Sequence, residues 1–272
     1  MQAGNLQLSH FEPVVLNFFS RSDIAGPLDY LQHCLPPGAR LLVAGGAIRN
    51  LLIQIIHGAA PETRDIDLFI GDLRPNVSLE RVLDGQQRDL TELCGVRWLP
   101  ESSNLAFDIS RLSDFVIIKK YKLAPSLENL LQSLDFTLNA VVFDVGARQL
   151  HDNGCLAAIR DRQLDFNTAY KMNNRLLAYR ILLIRFKTGF ILADRVFNFL
   201  KYRLDIDTIK LLRGLLINKQ GREMGRAIMD DYNRICSYAD HRTYLLEASQ
   251  YPQPDCLRGS INAKDSDGIP FH

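Results

Sequence analysis

The sequence predicts an α+β fold: a small head with a mixed sheet flanked by helices, followed by an all-helical neck and body. Three observations carry that expectation. Short runs of strand length are confined to about the first 152 residues, amphipathic helical patterns take over from there to about residue 248, and a glycine pair joins the first clear strand to a helix. The order divides the chain into a lead-in over 1–38, a head over 39–152, a helical neck and body over 153–250 and a poorly ordered tail over 251–272.

Phe11, Val14, Val15, Leu16, Phe18 and Phe19 form a short amphipathic lead-in, and Gly26-Pro27 and Pro36-Pro37-Gly38 punctuate the approach to the first strand, residues 40–44. After Gly45-Gly46, the apolar residues Ile48, Leu51, Leu52, Ile55 and Ile56 recur at helical spacing up to His57. Pro61 closes that helix, and residues 65–70 alternate acid and apolar side chains as a strand does. Ser78 is placed to cap a helix reaching about Cys94, with Leu79, Val82, Leu83, Leu90 and Leu93 as its stripe. Residues 96–99, 105–109 and 115–118 have strand character, Ser126 opens another helix, and residues 136–145 mix turn, helix and strand signals. Trp98, Phe107 and Tyr121 are expected in the sheet core.

At 272 residues the chain can bury a sizeable core, and 47% hydrophobic with 23% charged residues excludes a fibrous or wholly disordered protein. The net charge of +1 is unevenly spread: residues 151–222 hold 14 Lys/Arg against six Asp/Glu, a balance of +8, while 1–150 stands at −4 and 223–272 at −3. A basic middle segment fits polyanion binding and fits a solvated helical surface equally well. Cys34, Cys94, Cys155, Cys236 and Cys256 are scattered, with no Cys-x-x-Cys pair and no His at zinc-ligand spacing, as in a protein that keeps its thiols reduced. No basic segment precedes an apolar core at the N-terminus and no apolar run reaches bilayer length, so the expected location is cytoplasmic, with no membrane partner.

Two Asp at i and i+2 on a strand point to the same face, and Asp65 and Asp67 have that spacing, with Ile66 directed to the core. Phosphoryl transfer needs carboxylates that hold metal ions against phosphate oxygens, and magnesium prefers such oxygen ligands. Asp108, on a neighbouring strand, is the best-placed third carboxylate. Taken alone, the pair describes solvated acids at a strand end more often than a metal site. Gly45-Gly46 adds a second element: glycines between strand and helix let the backbone approach a triphosphate, with helix N–H groups aimed at it and Arg49 one turn along. The Gly-x-Gly-x-x-Gly dinucleotide pattern is absent.

In order and at this separation, Gly45-Gly46-Ala47-Ile48-Arg49-Asn50 and Arg64-Asp65-Ile66-Asp67-Leu68 resemble the head of the tRNA CCA-adding enzyme and bacterial poly(A) polymerase family, class II of the DNA polymerase beta-like nucleotidyltransferases. Asp135-Phe136-Thr137-Leu138-Asn139-Ala140 resembles a second block of that family and His151-Asp152-Asn153-Gly154 a third. The stretch from Arg175 through Arg180 and Arg185-Phe186 to Gly189-Phe190 resembles its neck helix. The resemblance implies a nucleotidyltransferase head in which Asp65, Asp67 and Asp108 are catalytic ligands of two Mg2+ ions. It assigns nucleotide binding to Gly45, Gly46, Arg49, Arg64, Asp135, Asn139, Arg175 and Arg180. It further implies a nucleoside triphosphate as substrate, the 3′-hydroxyl of RNA, tRNA foremost, as acceptor, and pyrophosphate as product.

The departures bear on specificity. Asn50 stands where the family has Asp, Ser133-Leu134 replace a pair of arginines, and Asn173-Asn174 occupy the neighbourhood of the Glu-Asp-x-x-Arg motif that reads the incoming base. An amide both donates and accepts where a carboxylate only accepts, so base choice is expected to differ or to be looser. The chain is also short for the family. Two alternatives stay open: a toxin-like or defence nucleotidyltransferase modifying tRNA or a protein, and a degenerate head kept as a non-catalytic RNA-binding module.

Overall fold

The computed structural model of the chain describes residues 8–74, 76–91 and 95–248. Two helices open it, α1 (Glu12–Phe19) and α2 (Ser22–Cys34). Gly26-Pro27 lies inside α2 rather than ending it: Pro27 withholds one backbone N–H, but its own ring is buried and the helix continues. β1 (Arg40–Ala44) leads through Gly45 into α3 (Gly46–His57), and β2 (Asp65–Gly71) follows.

The structure departs from two sequence expectations in the stretch that follows β2. The helix opened by Ser78 is a single turn, α4 (Leu79–Val82), because the chain turns at Gly85 (φ +77°) and then forms β3 (Arg88–Leu90), hairpinned to β4 (Val96–Trp98). Leu93 of the expected stripe, and Cys94 at the expected end of the helix, lie outside the described residues. Residues 115–118 are not a strand. After β5 (Ala106–Arg111) and a 3-10 turn at Leu112–Asp114, the chain forms α5 (Val116–Tyr121). The adjacent Ile117 and Ile118 are both buried in one cluster, which a helix allows and a strand, alternating faces, does not. Tyr121 ends this helix exposed, its ring 4.7 Å from that of Tyr170, while Trp98 and Phe107 are in the sheet core as expected.

α6 (Leu127–Ser133) is capped by Ser126, whose Oγ accepts from the Asn129 N–H at 3.2 Å. A 3-10 turn at Thr137–Asn139 precedes β6 (Val141–Asp144), β7 (Gln149–Asp152) and α7 (Cys155–Arg160). Strands do not stop at residue 152: β8 (Gln163–Leu164), before α8 (Asn174–Thr188), pairs in parallel with β9 (Ile191–Leu192), after it. α9 (Asp194–Tyr202), α10 (Ile206–Gln220), α11 (Arg222–Ser237) and α12 (His241–Ala248) complete the described chain.

Among the described residues, seven strands form one mixed sheet in the order β3-β4-β5-β2-β1-β6-β7, with β2 and β5 parallel and the other neighbours antiparallel. Leu41, Val43, Ile66, Leu68, Phe107 and Ile109 belong to the main core, which continues unbroken into the helices through Tyr179, Leu200, Leu216 and Ile228. Leu42, Ala44 and Val142 belong to a second, smaller cluster with Ile117, Ile118 and Leu130. By the two-residue period of β2, Asp65, Asp67 and Phe69 share one face. Phe69 is covered by Phe115, ring centroids 5.1 Å apart, while Asp65 and Asp67 keep exposed surface.

α8 is the central helix of the second half, buried on most sides and terminated by Gly189 in the left-handed conformation. From its last turn, Arg185 bonds Asp231 of α11 (2.9 Å), the Phe190 carbonyl (2.9 Å) and the Tyr244 hydroxyl of α12 (3.0 Å), pinning three elements together. α10 and α11 meet backbone to backbone at Gly225, where a Cβ would stand 2.8 Å from the Ile217 Cα.

Candidate active site

The site is built where β1 ends. Ala44 lies opposite Asp67 in the β1–β2 register, so the turn into α3 opens beside that carboxylate. Gly45 adopts φ +70° and ψ −117°, a conformation closed to side-chain-bearing residues, and a Cβ there would come within 4.0 Å of Asp67 Oδ2. α3 starts at once, with no side chain capping its first N–H groups. An uncapped helix N-terminus beside a pair of carboxylates can receive a phosphate whose charge a cation shares.

The parallel β2–β5 register places Asp67 opposite Asp108, and the β4–β5 register places Arg97 opposite Asp108. Asp65, Asp67 and Asp108 therefore share one face, all three partly buried. Burial raises the Asp67 carboxyl to about 8, with the Asp65 and Asp108 charges adding and Arg180 and Arg49 opposing. Burial also raises Asp108, to about 6, against the pull of Arg97. Asp108 is already engaged: Arg97 Nη1 donates to both its oxygens, at 3.1 and 2.9 Å. Among the described residues no three acidic, His or Cys side chains converge into a cation cage. What the donors do fit is magnesium held by one or two carboxylates and completed by water and substrate phosphates. Two hard oxygen donors on one face, whose crowded charge a divalent cation would relieve, are Asp65 and Asp67.

A chain of hydrogen bonds runs outward from Arg49. Its Nε and Nη2 donate to Asn50 Oδ1 (3.1 and 2.9 Å), and its Nη1 donates to Asn139 Oδ1 (2.6 Å). Asn139 Nδ2 donates to Asp135 Oδ1 (2.8 Å), and Asp135 Oδ2 accepts from Arg180 Nε (2.5 Å). The relay links α3, the Thr137–Asn139 turn and α8. A guanidinium has five N–H donors, so the three used here leave Arg49 two for a ligand. Burial pushes the Arg49 guanidinium below its ordinary value, against the pull of Cys155, Asp135 and Asp65.

This geometry accounts for one departure in the sequence. Asn50 orients Arg49 as an aspartate would, and its Nδ2 also reaches Thr63 Oγ1 (3.4 Å) in the segment before β2, a donation no carboxylate makes. Asn173 is committed elsewhere: its Oδ1 caps α8, accepting from the N–H groups of Arg175 and Leu176 (3.0 and 3.2 Å). Ser133 is buried, and its Oγ has no hydrogen-bond partner among the described residues.

Gly45, Gly46, Arg49, Asp65, Asp67, Asp108, Asp135, Asn139 and Arg180 are thus gathered by the sheet register and the relay. Arg64 flanks Asp65, and its Nε donates to Glu62 (3.1 Å). Arg175 stands apart, exposed on the first turn of α8, its side chain making no bond among the described residues. Tyr179 and Phe190, set among arginines in the sequence, are packing residues, fully buried. Two residues went unnoticed in the sequence. Arg97 had no local signal, because only the strand register reveals its partner. Lys187 is two helical turns beyond Arg180, on the same side of α8. Its side chain keeps exposed surface, but crowding around the ammonium and the nearby Arg49 charge push its pKa down, while Asp65 pulls it up.

No protein-family model matches the sequence, and a search of curated proteins returns no match. Comparison with solved structures shows the fold. A CCA-adding enzyme in an apo form aligns over 82% of this chain and 51% of its own, with a TM-score of 0.52 and 16% identity. Two apo forms of a tRNA-processing enzyme align over 76% and 81% of this chain, each with a TM-score of 0.51, at 16% and 17% identity. The chain therefore has an α+β fold similar to that of CCA-adding enzyme structures, and it spans between 51% and 59% of the length of these three. Among the described residues, no helix is long and apolar enough to cross a membrane.

Proposed function

We propose that the chain is a magnesium-dependent nucleotidyltransferase that transfers a nucleoside monophosphate from a nucleoside triphosphate to the 3′-hydroxyl of an RNA, with tRNA as the acceptor class. One observation carries this reading: Asp65 and Asp67 stand beside the uncapped start of α3 and the Arg49 relay, on a fold shared with CCA-adding enzymes.

In the reaction, the RNA 3′-oxygen forms a bond to the α-phosphorus as the bond from that phosphorus to the β-phosphate oxygen breaks. Pyrophosphate leaves and the hydroxyl proton is lost. Asp65 and Asp67 would hold two magnesium ions, which when bound supply charge neutralisation at the attacking and leaving oxygens. The chain's own part is binding and orientation. The first N–H groups of α3 and the two unspent donors of Arg49 face the triphosphate. The Asn139–Asp135–Arg180 relay holds Arg49 in that pose, so little reorganisation is left for the moment of transfer. The basic helical segment over 151–222 supplies charge for the acceptor backbone.

The test is incubation of the purified chain with radiolabelled nucleoside triphosphates, magnesium and tRNA. Label in RNA that disappears in Asp65→Ala supports the reading; label in protein or in a small molecule, with none in RNA, overturns the acceptor. A second reading keeps the chemistry with a different acceptor, as in a toxin-like or defence enzyme. It is favoured by Asn173, which caps a helix where the family reads a base. Toxicity on expression that Asp65→Ala relieves would favour it.

A further inference from the structure

α9 carries two different faces. Val196, Phe197 and Leu200 are buried in the core, whereas Arg195, Asn198, Phe199 and Tyr202 follow helical spacing along the outer side. That outer stripe, with Phe166 and Arg203, lines an open cavity of about 640 Å³, away from the carboxylates. Phe199 meets Phe166 edge to face, centroids 5.7 Å apart, and forms its aromatic floor. Tyr202 is 63% exposed, a large apolar ring left in water at the rim. Among the described residues, the side-chain polar groups of Asn198, Tyr202 and Arg203 have no hydrogen-bond partner.

Arg195 and Arg203 supply the cavity's guanidinium groups. Arg195 is 65% exposed and is held in place by Asp165 (2.7 Å) and the Phe166 carbonyl (3.0 Å), using one of its nitrogens. Lys201 Nζ lies 5.7 Å from the centre of the Tyr202 ring but donates to the Tyr238 and Ala239 carbonyls, and it does not line the cavity. Asp194, the one acid among the described lining residues, is 65% exposed and lies 3.7 Å from His241. Aromatic faces between guanidinium groups are the chemistry that takes stacked bases and the phosphates joining them.

The cavity is also wired to the nucleotide relay. Phe166 forms a β-bridge with Phe136, the Thr137 N–H donates to the Asp165 carbonyl (3.0 Å), and the Asn167 N–H donates to the Asp135 carbonyl (2.9 Å). The segment that lines the α9 cavity thus backs the loop that carries Asp135 and Asn139.

We propose that this cavity is a binding site for a single-stranded polynucleotide, with one base stacked on Tyr202 and Phe199 and the flanking phosphates on Arg195 and Arg203. The choice of RNA as the strand rests on the reading of the acceptor given above; the cavity chemistry itself takes RNA or DNA. Tyr202 and Arg203 are exposed and outside the core, so variants there keep the fold.

The experiment uses the full chain carrying Asp65→Ala, without nucleotide or magnesium, and a single-stranded RNA of about eight nucleotides containing 2-aminopurine. Binding is followed by anisotropy and stacking by quenching of the 2-aminopurine emission. Tyr202→Ala is expected to weaken binding about tenfold, in the range for loss of one stacked base, and to abolish the quenching, with both restored by Tyr202→Phe. Arg203→Glu is expected to weaken binding and flatten its salt dependence. Equal affinity and quenching in Tyr202→Ala would overturn the proposal, as would an acidic peptide that binds with the same dependence on Tyr202. A DNA strand of the same sequence separates the two polynucleotides: equal binding keeps the site and removes its tie to RNA. If the wild-type chain transfers no nucleotide while the Tyr202 dependence holds, the catalytic reading fails and the cavity site stands.

Discussion

Asp135→Ala tests the relay at its most buried point. The Asp135 side chain is 3% exposed and that of Arg180 20%, and they meet at 2.5 Å. Asp135 also accepts from Asn139 Nδ2 (2.8 Å) and from the Phe136 N–H (3.0 Å). Removing the carboxylate takes an ion-pair partner from Arg180 in a site where burial opposes its charge, and breaking such a pair costs about 3–5 kcal/mol. For a chain of this size each kcal/mol shifts Tm by about 2–4 °C, so the midpoint should fall by roughly 6–20 °C. Circular dichroism against temperature measures the shift, and urea titration gives the free energy. The double variant Asp135→Leu/Arg180→Met should recover most of the loss, because no unpaired charge then remains buried. It should not recover nucleotide transfer, since Asn139 has lost its anchor and Arg49 its pose. A single-variant loss below about 1 kcal/mol, or a double variant no more stable than the single, would refute the claim that this pair is tightly coupled.

Four further outcomes are expected. Asp67→Asn should cut nucleotide transfer by about a hundredfold or more yet leave Tm unchanged or higher, because it replaces a carboxylate whose charge burial and Asp65 disfavour; a fall in Tm by scanning fluorimetry would contradict that electrostatic picture. Arg97→Met should free the Asp108 oxygens but push its carboxyl further up, so magnesium binding in calorimetry should tighten more steeply as pH rises than in the unaltered chain, and an unchanged pH dependence would separate Asp108 from the cation. Ser133→Ala should raise stability by up to about 1 kcal/mol, read from the urea midpoint, by deleting a buried hydroxyl without a partner. Gly225→Ala should cost about 1–3 kcal/mol by forcing α10 and α11 apart, with transfer intact well below Tm.

The core of the candidate site was readable in the sequence because its logic is local. Gly45-Gly46 between strand and helix, Arg49 one turn on, and two acids at strand spacing are patterns that survive any long-range packing. Where the sequence misled, a short apolar run had to choose its period without knowing its neighbours. Residues 115–118 suit a strand by composition, yet the two isoleucines fit one cluster only when adjacent side chains can turn to the same side. The stripe after Ser78 was broken by a turn at Gly85 that lets Arg88–Leu90 pair with Val96–Trp98 instead. Arg97 and Lys187 were illegible for a different reason. Arg97 matters through Asp108 across β4–β5, and Lys187 stands out through its surroundings and the nearby Arg49 charge, neighbours that no local window contains. The aromatic-basic stripe of α9 was hidden because its four residues look like ordinary helix surface until Phe166 is folded beneath them.

β2 and β5 are the parallel neighbours in an otherwise antiparallel sheet, and that exception has a kinetic consequence. Parallel strands cannot be joined by a tight hairpin, so Asp67 meets Asp108 only when the chain has crossed over through α4, β3 and β4, which lie beyond β5 in the sheet or outside it. Arg49 and Asn139 meet across 90 residues of chain, and Arg180 closes on Asp135 across another 45. Loop closures of that length are the slow part of acquiring a fold. The carboxylates, the uncapped start of α3 and the relay are therefore expected to come into contact late in folding. A partly folded chain, still exposed to proteases and chaperones, would hold these groups apart.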